Sequence, residues 1–182
     1  GYCEKNLSRV PSAVAQLGAQ NQRFVREAEP RLIRSSRILR AETDVIVNHL
    51  LAPTREWVML TGNAGSGKSC VLAQVVDKLK THQITCFAFR FDTAAPLDSI
   101  AKLKECLNVK WDPIGLLDNI AKRGKSVLII DQVDALSDVA GRRNGQQWQV
   151  LYRLIDEARE CPNMSILLAC RSFDLENDAE LK

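Results

Sequence analysis

The chain has 182 residues, 46% hydrophobic and 26% charged, with a net charge of +3. That length suits a single domain with a sizeable core, and the balance is that of an ordinary soluble protein. No apolar run approaches the roughly 20 residues of a membrane-spanning helix and no signal-peptide pattern opens the chain, so no membrane partner and a cytoplasmic location are expected.

The positive excess sits early. Residues 1–60 hold nine Lys/Arg against six Asp/Glu, whereas residues 61–182 hold sixteen of each. Arg31, Arg34, Arg37 and Arg40 recur every third residue. The pI of about 8.6 is too mild for a nucleic-acid footprint. A solvated face or a subdomain contact is the expected role of this stripe, and nucleic acid is not indicated. The six cysteines include no C-x-x-C pair, and two histidines are too few to complete a zinc site. All six therefore read as reduced thiols, with Cys86 and Cys170 inside apolar runs. Because the first residue is Gly1, the chain reads as a piece of a longer protein.

Residues 12–28 have helical composition without a strong apolar face, and Pro30 ends them. Residues 1–36 form an expected helical extension or linker ahead of a core spanning 37–182. Thr43 or Asp44 would cap a short helix carrying Val45, Ile46, Leu50 and Leu51, stopped before Pro53. A first strand is expected at about 57–61. The following helix starts at Lys68 and places Val71, Leu72, Val75, Val76 and Leu79 on one stripe. A second strand covers 84–91 and ends at Asp92, and a helix runs from Pro96 to Leu107. Asp112-Pro113 opens another helix to about Lys122. The apolar run Ser126–Ile130 is a third strand ending at Asp131. A polar loop covers 137–146, and Trp148, Leu151, Ile155 and Ala158 mark an amphipathic helix. A fourth strand over 165–169 leads to Cys170 and Arg171. Alternating helices and continuously apolar strands predict an α/β fold, a mostly parallel sheet with helices on both faces.

Chemistry concentrates at residues 62–69, Gly62-Asn63-Ala64-Gly65-Ser66-Gly67-Lys68-Ser69. This is a complete G-x-x-x-x-G-K-[ST] phosphate-binding loop between a strand and a helix N-terminus. Its glycines let backbone N–H groups turn inward toward phosphates. Lys68 would reach the β- and γ-phosphates of ATP, or the β-phosphate where ADP is bound, and the Ser69 hydroxyl would ligate Mg²⁺. Cys70 follows directly and is grouped with the nucleotide contacts. Ligands of open α/β sheets bind at the C-terminal strand edge, where Asp131 would hold Mg²⁺ opposite Ser69. Asp134 would orient the attacking water, the competing role being a helix or turn cap. Arg171 would sense the γ-phosphate or stabilise transition-state charge, the competing role being a surface ion pair.

Taken together, GNAGSGKS at 62–69, LIIDQVDAL at 128–136 and LLACRSFD at 167–174 resemble the STAND class of P-loop NTPases, close to its NACHT branch. The resemblance covers roughly residues 37–178. The class's D-G-x-D-E element matches at Asp131 and Asp134, while Gln132 replaces the Gly and Ala135 the Glu. Arg171 matches the sensor arginine. Ile38-Leu39-Arg40-Ala41-Glu42 is similar to the element near the adenine, which makes Arg40 a nucleotide contact, although the Gly is absent and the spacing differs.

The resemblance implies a three-layer core of the additional-strand-catalytic-E type, cut before its last core strand. It also implies a slowly hydrolysing ATP switch within a larger signalling protein that self-associates on activation and contacts other domains of the same chain. DQVDALS and CRSFDLEND are similar to segments of large bacterial STAND proteins, some acting in antiphage defence. The alternatives are an AAA-type remodelling or loader ATPase, a P-loop kinase, or a nucleotide-binding module without turnover. AAA-type enzymes carry an Asp-Glu pair where this chain has Asp131-Gln132, and no N-K-x-D element supports a GTPase.

Overall fold

The computed structural model describes residues 10–28, 39–92, 98–121, 124–136 and 145–177. Four parallel strands form one sheet: β1 (Trp57–Gly62), β2 (Thr85–Arg90), β3 (Ser126–Asp131) and β4 (Met164–Arg171), in the order β1-β4-β3-β2. The last strand therefore inserts between the first and the third, as the additional-strand fold class requires. β3 is buried at every position and β2 along its interior, which is why neither sequence alternates.

Helices α2 (Ala41–Leu51) and α3 (Lys68–Thr81) pack on one face, against Cys86, Ala88, Val127, Ile129, Leu167 and Ala169. Helices α4 (Ile100–Cys106), α5 (Pro113–Ala121) and α6 (Gly145–Glu160) cover the other, against Phe87, Phe89, Leu128, Ile130 and Ile166. Phe87 meets Trp111 edge-on with ring centroids 5.7 Å apart, a geometry aromatic quadrupoles favour.

Helix α1 (Val10–Ala28) joins both halves of the core. Its Ala13 and Leu17 belong to the α5–α6 side, and its Phe24, Val25 and Ala28 to the α3 side. It does have an apolar face, contrary to the sequence expectation. The buried stripe is interrupted by Gln20 and Asn21, so its periodicity is diluted. Those amides serve the edge of β2 that no strand among the described residues pairs. Asn21 Nδ2 donates to the Cys86 carbonyl at 2.7 Å, and the Ala88 N–H donates to Asn21 Oδ1 at 2.9 Å. One side chain thus makes both bonds a neighbouring strand would make, which closes the edge to unwanted pairing.

Other local expectations shift for identifiable reasons. Helix α2 starts at Ala41 with Arg40 as its cap residue, not Thr43 or Asp44. Thr43 lies inside the first turn, where its hydroxyl donates to Gln74 Oε1 at 3.2 Å. Helix α4 is shorter than expected and is capped by Ser99, whose Oγ accepts from the Lys102 N–H at 3.2 Å. Helix α6 begins at Gly145, inside the expected loop. A 3₁₀ turn (Val133–Leu136) and helix α7 (Ser172–Asn177) follow β3 and β4 without any sequence expectation. Pro96, residues 137–144, Cys3 and the arginines at 31, 34 and 37 lie outside the described residues. No helix among the described residues is long and apolar enough to cross a membrane. Burial pushes the Cys86 thiol up to about 12 and the Cys170 thiol to about 11, so both stay protonated and inert.

Asn21→Ala should lower the unfolding free energy by roughly 1–3 kcal/mol, the cost of stranding a buried backbone donor and acceptor. Asn21→Asp should fall in the same direction, because a carboxylate cannot donate to the Cys86 carbonyl. Chemical denaturation checks both, and unchanged stability in both variants contradicts the edge-capping role.

Candidate functional site: a phosphate loop and three strand ends

The sheet register sets the site. Arg90 pairs with Asp131 across β2 and β3, and Gly62 pairs with Arg171 across β1 and β4. All four lie at the C-terminal edge of the parallel sheet, where the connecting loops leave room for a ligand. The loop between β1 and α3 folds over this edge. Gly65 and Gly67 have φ of +76° and +91°, values that a Cβ strongly disfavours. At Gly67 a Cβ would also stand 3.2 Å from Arg40 Nη2. The guanidinium therefore lies directly over the glycine that begins α3. Arg40 is anchored there by its own N–H, which donates to Gln74 Oε1 at 3.3 Å.

A cavity of about 490 Å³ opens at this edge, lined by residues 64–70 together with Asp131, Gln132, Asp134 and Arg171. Asn63 belongs to the same loop but not to that lining. Its carbonyl accepts from Lys68 Nζ at 3.0 Å, and the Gly62 carbonyl accepts from the same ammonium at 2.7 Å. The loop thus encloses its own cation. The Ser69 hydroxyl, in the first turn of α3, donates to Asp131 Oδ2 at 2.7 Å. That bond reaches across β4, linking the first and third strands' ends.

Asp131 is 1% exposed. Burial raises its pKa, against the opposing pull of the Ser69 hydrogen bond, Arg90 and the Gln132 N–H. No group of three or more His, Cys, Asp or Glu side chains among the described residues could hold a metal ion. The Ser69 hydroxyl and the Asp131 carboxylate are nonetheless adjacent hard oxygens. That set fits Mg²⁺, which takes few protein ligands and completes its shell with water and phosphate oxygens.

Asp134, in the 3₁₀ turn, engages Arg171 with both oxygens. Arg171 N–H donates to Oδ1 at 3.2 Å, and Arg171 Nε stands 3.1 Å from Oδ2. Burial raises the Asp134 pKa, offset in part by the Arg171 charge. The carboxylate is 7% exposed, whereas the arginine side chain is 52% exposed. The arginine is thus open to an anion in the cavity, while the buried carboxylate depends on it for a counter-charge.

The structure brings the expected residues 62–70, Asp131, Asp134 and Arg171 together, and it sets Arg40 beside the loop. Sequence reasoning reads Gln132 only as a departure from the family element and passes over Arg90. Gln132 lines the cavity, and Arg90 ends β2 next to Asp131. The expected second strand runs on to 91, so the strand-end rule points to Asp92, whereas β2 ends at Arg90.

Comparisons with known proteins agree with this fold. A search of curated proteins found no match. Among solved structures, the chain is similar to Drosophila ORC bound to DNA, at 15% identity and a TM-score of 0.56, covering 90% of this chain and 46% of that one. It is also similar to AMPPCP-bound DnaA from Aquifex aeolicus, at 15% identity and a TM-score of 0.50, covering 74% and 40%. Domain III of the Thermotoga maritima replication initiation protein DnaA gives 15% and 0.50, covering 78% and 54%. The chain thus spans about half of these chains' lengths or less, and at such identity the likeness shows the fold alone. The NACHT domain family model matches residues 56–181, a span that takes in the phosphate loop and all four strands. The chain belongs to the NACHT family of P-loop NTPases and contains its nucleotide-binding NTPase module.

Proposed function

We propose that the module binds Mg-ATP in this cavity and hydrolyses it slowly, as the switch of a larger signalling protein. The observation that carries the reading is the convergence of the phosphate loop, Asp131 and the Asp134–Arg171 pair on one cavity. Phosphates would lie against the backbone N–H groups of residues 64–69, at the positive end of α3. Lys68 would exchange the Gly62 and Asn63 carbonyls for phosphate oxygens. Arg40, above Gly67, would add a positive charge on the outer side of the loop. Cys70, in the first turn of α3, adds a polarisable contact at the cavity wall.

Mg²⁺, held by Ser69 and Asp131, would neutralise charge on the phosphates when bound. Asp134 would orient a water molecule and accept its proton as the water oxygen bonds to the γ-phosphorus and the bond to the β–γ bridging oxygen breaks. Its raised pKa makes it a better base than an ordinary carboxylate. Arg171 would stabilise the charge developing on the γ-phosphoryl oxygens. Slow turnover follows from the contact between these two groups. While Arg171 holds both oxygens of Asp134, neither partner is free for chemistry.

ATP binding would shift the pair to its open arrangement, and the coupling of that shift to self-association and to other domains of the chain completes the switch. A role in bacterial antiphage defence belongs to this reading as well and is supported by the family resemblance alone.

Lys68→Ala should abolish ATP binding in calorimetry, and retained affinity would remove the phosphate loop from the account. Asp134→Asn should bind ATP as the wild type does while losing turnover, and equal turnover would take Asp134 out of the mechanism. The pH dependence has a definite sign. A carboxylate whose folded pKa is raised binds its proton more tightly in the native state, so it destabilises the fold above that pKa. The penalty fades as pH falls through the folded pKa toward the ordinary value of 3.8. Asp134→Asn should therefore melt no lower than wild type at pH 7, with any advantage disappearing near pH 4. Thermal melts across that range check it.

A further inference from the structure

Gln132 has a φ of +58°, in the left-handed region that side chains with a Cβ avoid. Such strain persists only where the surroundings over-determine it, and it clusters at functional sites. Here the surroundings are specific. The Gln132 N–H donates to Asp131 Oδ1 at 2.9 Å. Its Oε1 accepts from Arg90 Nη2 at 3.1 Å. Arg90 is in turn gripped by Asp92, Nε to Oδ1 at 3.0 Å and Nη2 to Oδ2 at 2.7 Å. This two-point pairing leaves the guanidinium a single orientation, and the arginine side chain is only 11% exposed.

The chain of contacts Asp92–Arg90–Gln132 decides what the amide presents to the cavity it lines. With its oxygen committed to Arg90, the carboxamide has two N–H donors left on Nε2. Among the described residues, Nε2 has no partner. A glutamate at this position would place a second negative charge beside Asp131, facing any bound phosphate. Gln132 places a neutral donor there instead.

We infer that Gln132 reads the terminal phosphate of the nucleotide, donating from Nε2 to a γ-phosphate oxygen. Arg90, braced by Asp92, is the positioning residue that keeps the donor side of the amide turned inward. The inference rests on the proposed ATP site and deepens it, because a γ-phosphate oxygen is what separates a triphosphate from a diphosphate. The left-handed turn after β3 is then the strain accepted in order to aim this donor.

The test measures affinity for AMPPCP and for ADP by calorimetry in the full-length protein. The variants are Gln132→Gly, Gln132→Asn and Arg90→Ala, with the Gln132→Gly/Arg90→Ala double variant. Glycine accepts a positive φ freely and asparagine tolerates it, so one of the two Gln132 variants guards against misfolding of the other. In both, AMPPCP affinity should fall roughly tenfold or more, the loss of one hydrogen bond to a charged oxygen, with ADP affinity unchanged. Arg90→Ala should lower the AMPPCP-to-ADP ratio in the same way, and the double variant should lose no more than the larger single loss. A purely structural role would leave that ratio at its wild-type value in the Gln132 variants, and this result overturns the inference while leaving the ATP site standing. A wild-type protein that binds neither nucleotide overturns both.

Discussion

Parallel pairing in register is the constraint on which the rest of this structure depends. Parallel strands cannot be joined by tight turns, so every connection crosses a face as a helix and every strand ends at the same edge. With β4 inserted between β1 and β3, the residues closing that edge are Arg90, Asp131, Arg171 and Gly62, in sheet order. A cation or a carboxylate at each of the three strands beside β1 meets the glycine that opens the phosphate loop. Had β4 joined the sheet beyond β2, Arg171 would stand two strands further from the loop. The Asp134–Arg171 contact would have no place over the cavity.

A single hydrogen bond ties this arrangement together. Ser69 belongs to the β1–α3 unit and Asp131 to β3, and the 2.7 Å bond between them spans the intervening strand. It satisfies a carboxylate that is almost fully buried, and without such a partner the desolvation of that charge would be expensive. The same two oxygens form the hard pair expected of a Mg²⁺ site. The contact that stabilises the fold and the contact that the proposed chemistry uses are therefore the same. The Asp134–Arg171 pair has a similar double character, holding the 3₁₀ turn against β4 while occupying both groups that the proposed chemistry uses.

Much of this was legible in the sequence, because its signals were local. A complete phosphate loop states its own conformation, and the largely apolar, non-alternating runs at 84–91, 126–130 and 165–169 are short enough to read as strands buried on both sides. What was not legible depended on contacts between distant segments. Helix α1 looked featureless because Asn21 and Gln20, polar residues on its inward side, bond to the edge of β2 across more than sixty residues of chain. Thr43 looked like a cap because its partner, Gln74, lies on another helix. Gln132 looked like a departure from a family pattern, when its meaning lies in a backbone angle and in an arginine forty-two residues away. Local propensity carries no information on any of these, since tertiary partners decide them.

The central claim is that the phosphate loop and the third strand's end form one Mg-ATP site. It is tested most directly by a double-mutant cycle on Ser69→Ala and Asp131→Asn, reading ATP affinity with and without Mg²⁺. The account predicts that either change removes the Mg²⁺-dependent part of the affinity and that the double variant is no worse than either single one. Affinity that is indifferent to Mg²⁺ in the wild type, or losses that simply add, would contradict it.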